Sequence, residues 1–416
     1  MTNTNTARTL SRKEIIQKYP HISPYVILKA DIQRRTVVYT DQALQKADPD
    51  TDQGLRQTLF GSVGVKETFL PASFMLRDGS SALTVPIPSA SDPYVVDAID
   101  GKLVLIDHGE VVDEITFWPR PDFQDKTTSR GTPMWSVANA RAQRLDIDPH
   151  SYCQFCNNGS GCLYCNVGPN YIKSHKEYDR PARLDPRDVY ETVHEALKER
   201  GRYTYIKMTA GSILTGKELF DDEVEMYIKI LKAIGDNFKT RRFPSQMISS
   251  SFNERQLERL YNETGIMNYT SDMEVLNPEK FAWICPGKEK VLGYHEWKNR
   301  IIRAVDIFGR GHVDTGIVGG VELAQPNGFA TEDIALQYTL EEAEDFAAHG
   351  VFAVACVWVP YPGSPFEKQQ SPSLEYYVRL AEGLDRIRRQ YNLPVDMDDY
   401  RRCGNHPDTD LSRVNG

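Results

Sequence analysis

The chain has 416 residues, of which 40% are hydrophobic and 10% aromatic, enough for a sizeable core and too many for a mainly disordered chain. Its 49 basic and 58 acidic residues leave a net charge of −9, which excludes a broad basic field for a nucleic-acid backbone or an anionic membrane. No window approaches the roughly 18 apolar residues of a membrane span, and no apolar run resembles a secretory leader, so the seven cysteines are expected in a reducing cytoplasm.

In chain order, the first 140 residues read as a mixed α+β region. Ser81–Ile87 and Tyr94–Asp100 carry strand-type residues, and Lys102–Trp118 reads as two strands about a turn at His108–Gly109. Pro119–Pro133, polar and proline-rich, is the expected joint. From about Leu145 strand patterns alternate with helical ones. Strands are expected just before Cys153 and over Tyr203–Met208, Gln246–Ser250, Met267–Thr270, Val313–Val318 and Phe352–Val359. Helices are expected over Pro186–Arg200, Asp222–Gly235, Glu254–Glu263, Tyr294–Phe308, Thr339–His349 and Leu374–Tyr391. Asp185 before Pro186, and Asn253 before Leu257 and Leu260, read as N-caps. Such alternation predicts parallel strands joined by helical crossovers. The fold class is therefore α/β. A partial (β/α)6 TIM-like barrel spans 141–370, with an N-terminal α+β appendage over 1–140 and a C-terminal helix and tail over 371–416. Chemistry in such barrels sits at the C-terminal strand ends.

Cys153, Cys156, Cys162 and Cys165 place four thiols in 13 positions. Two C-x2-C pairs suit a tetrahedral zinc site, but the gap of five residues crowds both onto one ion. Buried apolar thiols fit poorly with Asn157, Asn158, Gly159, Ser160 and Gly161 between them, which is exposed loop chemistry. An iron–sulfur cluster wants several thiolates on a pliable loop, which Gly159 and Gly161 supply. All three remain open on the residues alone.

The stretch Cys156-x5-Cys162-x-Tyr164-Cys165 resembles the cluster motif of the radical S-adenosylmethionine (SAM) superfamily, in a variant whose middle gap is five rather than three. The resemblance covers about Leu145–Pro365 and points to the branch of biotin synthase and the hydrogenase maturases. It implies that Cys156, Cys162 and Cys165 hold three irons of a [4Fe–4S] cluster, while SAM chelates the fourth. Cys153 is then no ligand. One electron cleaves SAM to a 5′-deoxyadenosyl radical, which abstracts hydrogen from a small-molecule substrate in cofactor or specialised-metabolite biosynthesis. A flavodoxin or ferredoxin donor is implied. By the same resemblance Tyr164 lies near the adenine, Gly211 and Ser212 form the turn that meets the SAM amino group, Glu274 (rather than Asp272) meets the ribose or amino group, and the backbone at Ile317–Gly319 runs along the adenine. The glutamate of the usual Gly-Gly-Glu turn is missing at Lys207–Ser212, and Thr315 replaces the first glycine of the GxIxGxxE stretch that ends at Glu322. Val357–Pro365 resembles the proline-rich sixth strand end.

Lys298, Arg300 and Arg303 are basic candidates for the SAM carboxylate, or else a solvated helix face. Gly211-x4-Gly216-Lys217 imitates a phosphate loop, but Glu218 stands where Ser or Thr is needed. Cys403 and His406 are too few for a second metal site; Cys285 and Cys356 read as isolated, and Cys356 as strand packing. Two rival functions stay open. One is a scaffold protein with zinc on the four clustered cysteines. The other is a metal-assisted barrel hydrolase, for which only His175 and His312 of nine histidines fall near expected strand ends.

Overall fold

The computed structural model describes residues 9–47, 53–55, 69–71, 73–85, 87, 90–168, 181–393, 395 and 404–414. A curled seven-stranded sheet forms a half-barrel. Its strands lie in chain order: β1 Asn139–Arg141, β2 Arg144–Ile147, β3 Tyr205–Thr209, β4 Ser245–Ile248, β5 Asn268–Thr270, β6 Val313–Gly319 and β7 Phe352–Val357. β1 returns antiparallel to β2 as a hairpin, and β2 to β7 are parallel. That hairpin crosses the expected boundary at residue 140, so the barrel sheet begins before the cysteine loop's own strand.

Five helical crossovers, α1 Pro186–Ala196, α2 Asp221–Gly235, α3 Glu254–Glu263, α4 Gly293–Phe308 and α5 Glu332–Ala348, and the helix after the last strand, α6 Leu374–Gln390, cover the convex face. Local chemistry starts them. The Asp185 side chain accepts from Arg187 N with Pro186 at N1, and Asn253 forms a capping box with Gln256. α5 starts seven residues earlier than its apolar pattern suggested, because the Thr331 side chain caps it through Ile334 N. Two short helices, Pro278–Ile284 and Pro286–Val291, lie between β5 and α4. Each opens on a proline, which interrupts the periodicity a sequence pattern needs.

Alternation along the strands divides core from cavity. On β3, Ile206 and Met208 are buried under the helices, while Lys207 and Thr209 line the concave side. Met247, Tyr269 and Val313 extend the same apolar layer.

Preceding the barrel, a sheet of Val37–Tyr39, Tyr94–Ile99, Lys102–Asp107 and Glu110–Glu114 has its own core of Ile32, Phe74, Val96 and Leu105. His108 and Gly109 turn its hairpin with φ of +48° and +82°, the left-handed pair such a turn demands. The helix Pro24–Arg35 joins this unit to the barrel and to the C-terminal helix Pro407–Val414. Asp408 of that helix accepts from the Ala355 amide at 3.2 Å, which blunts the open edge of β7. Arg388 Nη1 holds Asp408 Oδ2 at 2.6 Å, and Lys29 Nζ holds Asp410 Oδ2 at 2.7 Å, both pairs fully buried. Among the described residues no helix is long and apolar enough to cross a membrane.

Candidate functional site

A cavity of about 300 Å³ occupies the concave side of the half-barrel, toward the C-terminal ends of the parallel strands. The cysteine loop leaves β2 and forms its rim. Cys153 opens a single helical turn, Gln154–Asn157, after which Ser160 N returns to Phe155 O at 2.8 Å. The loop is tied to its neighbours by backbone. Gln154 N donates to Ser212 O at 2.9 Å, and Gln154 Oε1 accepts from Leu214 N at 2.6 Å. Leu163 N donates to Ile284 O at 2.9 Å, and Phe366 N to Leu163 O at 3.1 Å.

Glycines permit these approaches. A Cβ on Gly211 would lie 2.4 Å from Cys153 Cβ and 2.5 Å from Tyr152 O. One on Gly161 would lie 2.8 Å from Cys156 Sγ, and one on Gly287 2.5 Å from Ser160 O. The thiols of Cys153, Cys156, Cys162 and Cys165 are all half-buried and line the cavity. Cys156 is hydrogen-bonded to Cys153 and Cys165. The Cys153 contact lowers its pKa, while Cys165 and burial outweigh that and push it up to about 12. Cys285, which the sequence left isolated, is fully buried and hydrogen-bonded to Cys162 behind the loop. Burial first and Cys162 second raise its pKa. Thiol chemistry on a glycine-hinged loop at a cavity rim fits an iron–sulfur cluster.

The other expected site residues reach the same wall, with one exception. Tyr164, Gly211, Ser212, Glu274 and Ile317 line the cavity. Gly319 lies outside it, where a Cβ would meet Leu380 Cδ2 at 2.6 Å, and its carbonyl accepts from Trp358 N. Glu274 has φ of +67°, in the left-handed region that costs a non-glycine residue of order 1 kcal/mol or more. Its backbone is clamped to β6: Glu274 N donates to Gly316 O at 3.1 Å, and Val318 N donates to Glu274 O at 2.9 Å. The two segments that the resemblance assigned separately to SAM are thus one structure.

Lys288, absent from the sequence-based candidates, donates to Glu274 Oε1 and to Asp272 O, each at 2.7 Å, and sits over the Trp297 ring. Only the short helix Pro286–Val291 brings it there. Asp272 accepts from Gly316 N at 3.0 Å; burial, then repulsion from Glu274, pushes its pKa up to about 6. Behind Ser212, Ser250 Oγ lies 2.8 Å from both Ser212 Oγ and Glu223 Oε2. Glu223 also accepts from Ile213 N and Ser250 N, yet burial lifts its pKa to about 7. A buried carboxyl therefore stands behind the turn that lacks the usual glutamate.

Lys298 pairs with Glu342 and Asp345, Arg300 with Glu296, and Arg303 with Glu254 and Glu296. None of these three lines the cavity. Cys356 does, together with His406 of the C-terminal segment, while its thiol donates to Ile317 O at 3.4 Å on the neighbouring strand. Cys403 and His175 lie outside the described residues. His312 is paired with Asn268 at 2.7 Å.

No protein-family model matches the chain. It is similar to the bacteriochlorophyllide c C-7(1)-hydroxylase of Chlorobaculum limnaeum, 26% identical over 144 residues, which is 34% of this chain and a third (33%) of that relative's length. Among solved structures it is similar to a radical SAM methyltransferase from Sphaerobacter thermophilus, with TM-score 0.43 and 14% identity over 96% of this chain and 98% of that one. It is also similar to methylornithine synthase, with TM-score 0.39 and 16% identity over 60% of this chain and 69% of that one.

Proposed function

We propose that the chain is a radical SAM enzyme acting on a small-molecule substrate in a biosynthetic reaction, with Cys156, Cys162 and Cys165 as the ligands of a [4Fe–4S] cluster. The observation that carries this reading is the convergence of the cysteine loop, the Gly211–Ser212 turn and the Glu274–Ile317 clamp on one cavity at the ends of parallel strands. Cluster and SAM together would supply one-electron reductive cleavage of the sulfonium C–S bond, with the electron from a flavodoxin or ferredoxin.

The chain's own residues bind, orient and shield. Ser212, braced by Ser250 and Glu223, presents a hydroxyl that suits an ammonium. Glu274 is an acceptor for ribose hydroxyls or an ammonium, and Lys288 holds its carboxylate in one orientation. Phe123, Trp135 and Trp358 give the cavity apolar walls that exclude water from a reactive centre. Anaerobic reconstitution with iron, sulfide, SAM and dithionite tests the proposal. The expected result is a brown protein that releases 5′-deoxyadenosine; bound zinc without sulfide, and no such product, would refute it.

A further inference from the structure

We propose that the substrate carries an anionic head group, a carboxylate or phosphate monoester, that docks on Lys207 below the rim of the cavity. The inference rests on the radical SAM reading only for what happens to the substrate afterwards.

Lys207 is the middle residue of β3, on the cavity wall. It lies two residues before Thr209, hence about 7 Å deeper than the strand end that leads into the Gly211–Ser212 turn. Among the described residues it has no hydrogen-bond or ion-pair partner. Its nearest acidic neighbour in register is Asp146 on β2, already held by Arg141 Nε at 2.9 Å and Arg144 Nε at 2.8 Å. Arg141, Arg144 and Lys207 of strands β1 to β3 outnumber Asp146, while Asp148, just past β2, adds a carboxylate on the cavity wall beside Arg141 and Lys207. Farther off, Asp272 accepts from Gly316 N, and Asp314 accepts from Thr270 and Gln246.

A second feature points to a ligand. Gln246, the register partner of Lys207 on β4, is 1% exposed and lines the cavity. Its amide nitrogen serves Thr270 and Asp314, while Oε1 has no partner among the described residues. Asn139 Nδ2, on β1, is likewise buried on the cavity wall and unpartnered among the described residues. A buried donor left unmade costs about 1–3 kcal/mol, which a bound polar group would recover. The Lys207 ammonium and the Asn139 amide are both donors, which suits oxygens of an anion; Gln246 Oε1 suits a hydroxyl or amide beside it. The aromatic side chains Phe123, Trp135 and Trp358 wall the same cavity, so the substrate would pair its charge with an apolar body.

The test uses the reconstituted, SAM-bound full chain and three probes measured by calorimetry: 3-phenylpropanoate, phenyl phosphate and the neutral 3-phenylpropanamide. Wild type is expected to bind at least one of the anions about tenfold tighter than the amide, and which one names the head group. Lys207→Met is expected to bring anion and amide within about twofold, and Lys207→Arg to keep the preference. Equal or no binding of anion and amide by wild type would overturn the proposal, as would an undiminished preference in Lys207→Met. Loss of SAM binding in Lys207→Met would assign the lysine to the nucleotide and overturn it too. The enzyme-class reading fails separately, by absence of iron, sulfide and 5′-deoxyadenosine in wild type.

Discussion

Lys288 Nζ lies 2.7 Å from Glu274 Oε1, and both side chains are largely withdrawn from solvent. The lysine arrives on a six-residue helix, the glutamate on a left-handed kink clamped to β6. Removing one charge of such a pair strands the other in a poorly solvated site, a loss of roughly 3–5 kcal/mol. Lys288→Met should therefore lower stability by that order in urea unfolding, and Glu274→Gln/Lys288→Met should recover most of it. If the double variant is no better than the single one, the pair is not what fixes the clamp.

The thiols should separate by role. Cys156→Ala, Cys162→Ala and Cys165→Ala are each expected to lose the [4Fe–4S] absorbance and 5′-deoxyadenosine formation after reconstitution. Cys153→Ala should keep a cluster, although its thiol touches Cys156. Iron and sulfide analysis of the four variants decides the ligand set.

Gly211→Ala tests the seam between the cysteine loop and β3. The added methyl would lie 2.4 Å from Cys153 Cβ and 2.5 Å from a backbone oxygen, so the loop must shift. A displacement near 1 Å at a reacting site costs on the order of a hundredfold in rate. SAM cleavage should fall by that order while iron content holds; unchanged turnover would show that the seam does not position the loop.

Glu322 supplies a pH signature. It is fully buried, accepts from Gly320 N at 2.9 Å and from Tyr376, and burial lifts its pKa from 4.5 to about 7. The folded state thus holds its proton more tightly than the unfolded state. Its stabilising contribution is complete below pH 4.5 and is lost as pH rises through about 7, by up to about 3 kcal/mol. Glu322→Gln keeps an acceptor and no charge. Its Tm relative to wild type should rise between pH 5 and pH 8; a flat difference would contradict the assigned shift.

The C-terminal helix should act as a clasp. Lys29→Met leaves Asp410 buried without its cation, with an expected loss of roughly 3–5 kcal/mol that Lys29→Met/Asp410→Asn largely restores. Limited proteolysis near residue 404 should quicken in the single variant alone.

Much of the architecture was legible along the chain because its signals are local. Asp185–Pro186 and the Asn253–Gln256 box mark helix starts through contacts within three residues, and Ile206 and Met208 alternate with Lys207 and Thr209 as a strand requires. Lys288 and Cys285 were not legible. Lys288 sits on a proline-opened helix too short to show a period, Cys285 at the junction of two such helices, and their partners, Glu274 and Cys162, are distant in sequence. A basic run near a strand end likewise looks like an anion site until its carboxylates are placed: neighbouring helices supply them to Lys298 and Arg303, while Glu296 on the same helix pairs with Arg300.

What the residues alone determined is the chemistry on offer: a glycine-hinged thiol loop, β/α alternation, and no basic field. What only tertiary structure decided is which groups share a space. Parallel register sets Lys207 beside Asp146 and Gln246, and the kink at Glu274 meets Ile317. These adjacencies arise from hydrogen bonds between strands far apart in the chain, which no local pattern of residues encodes.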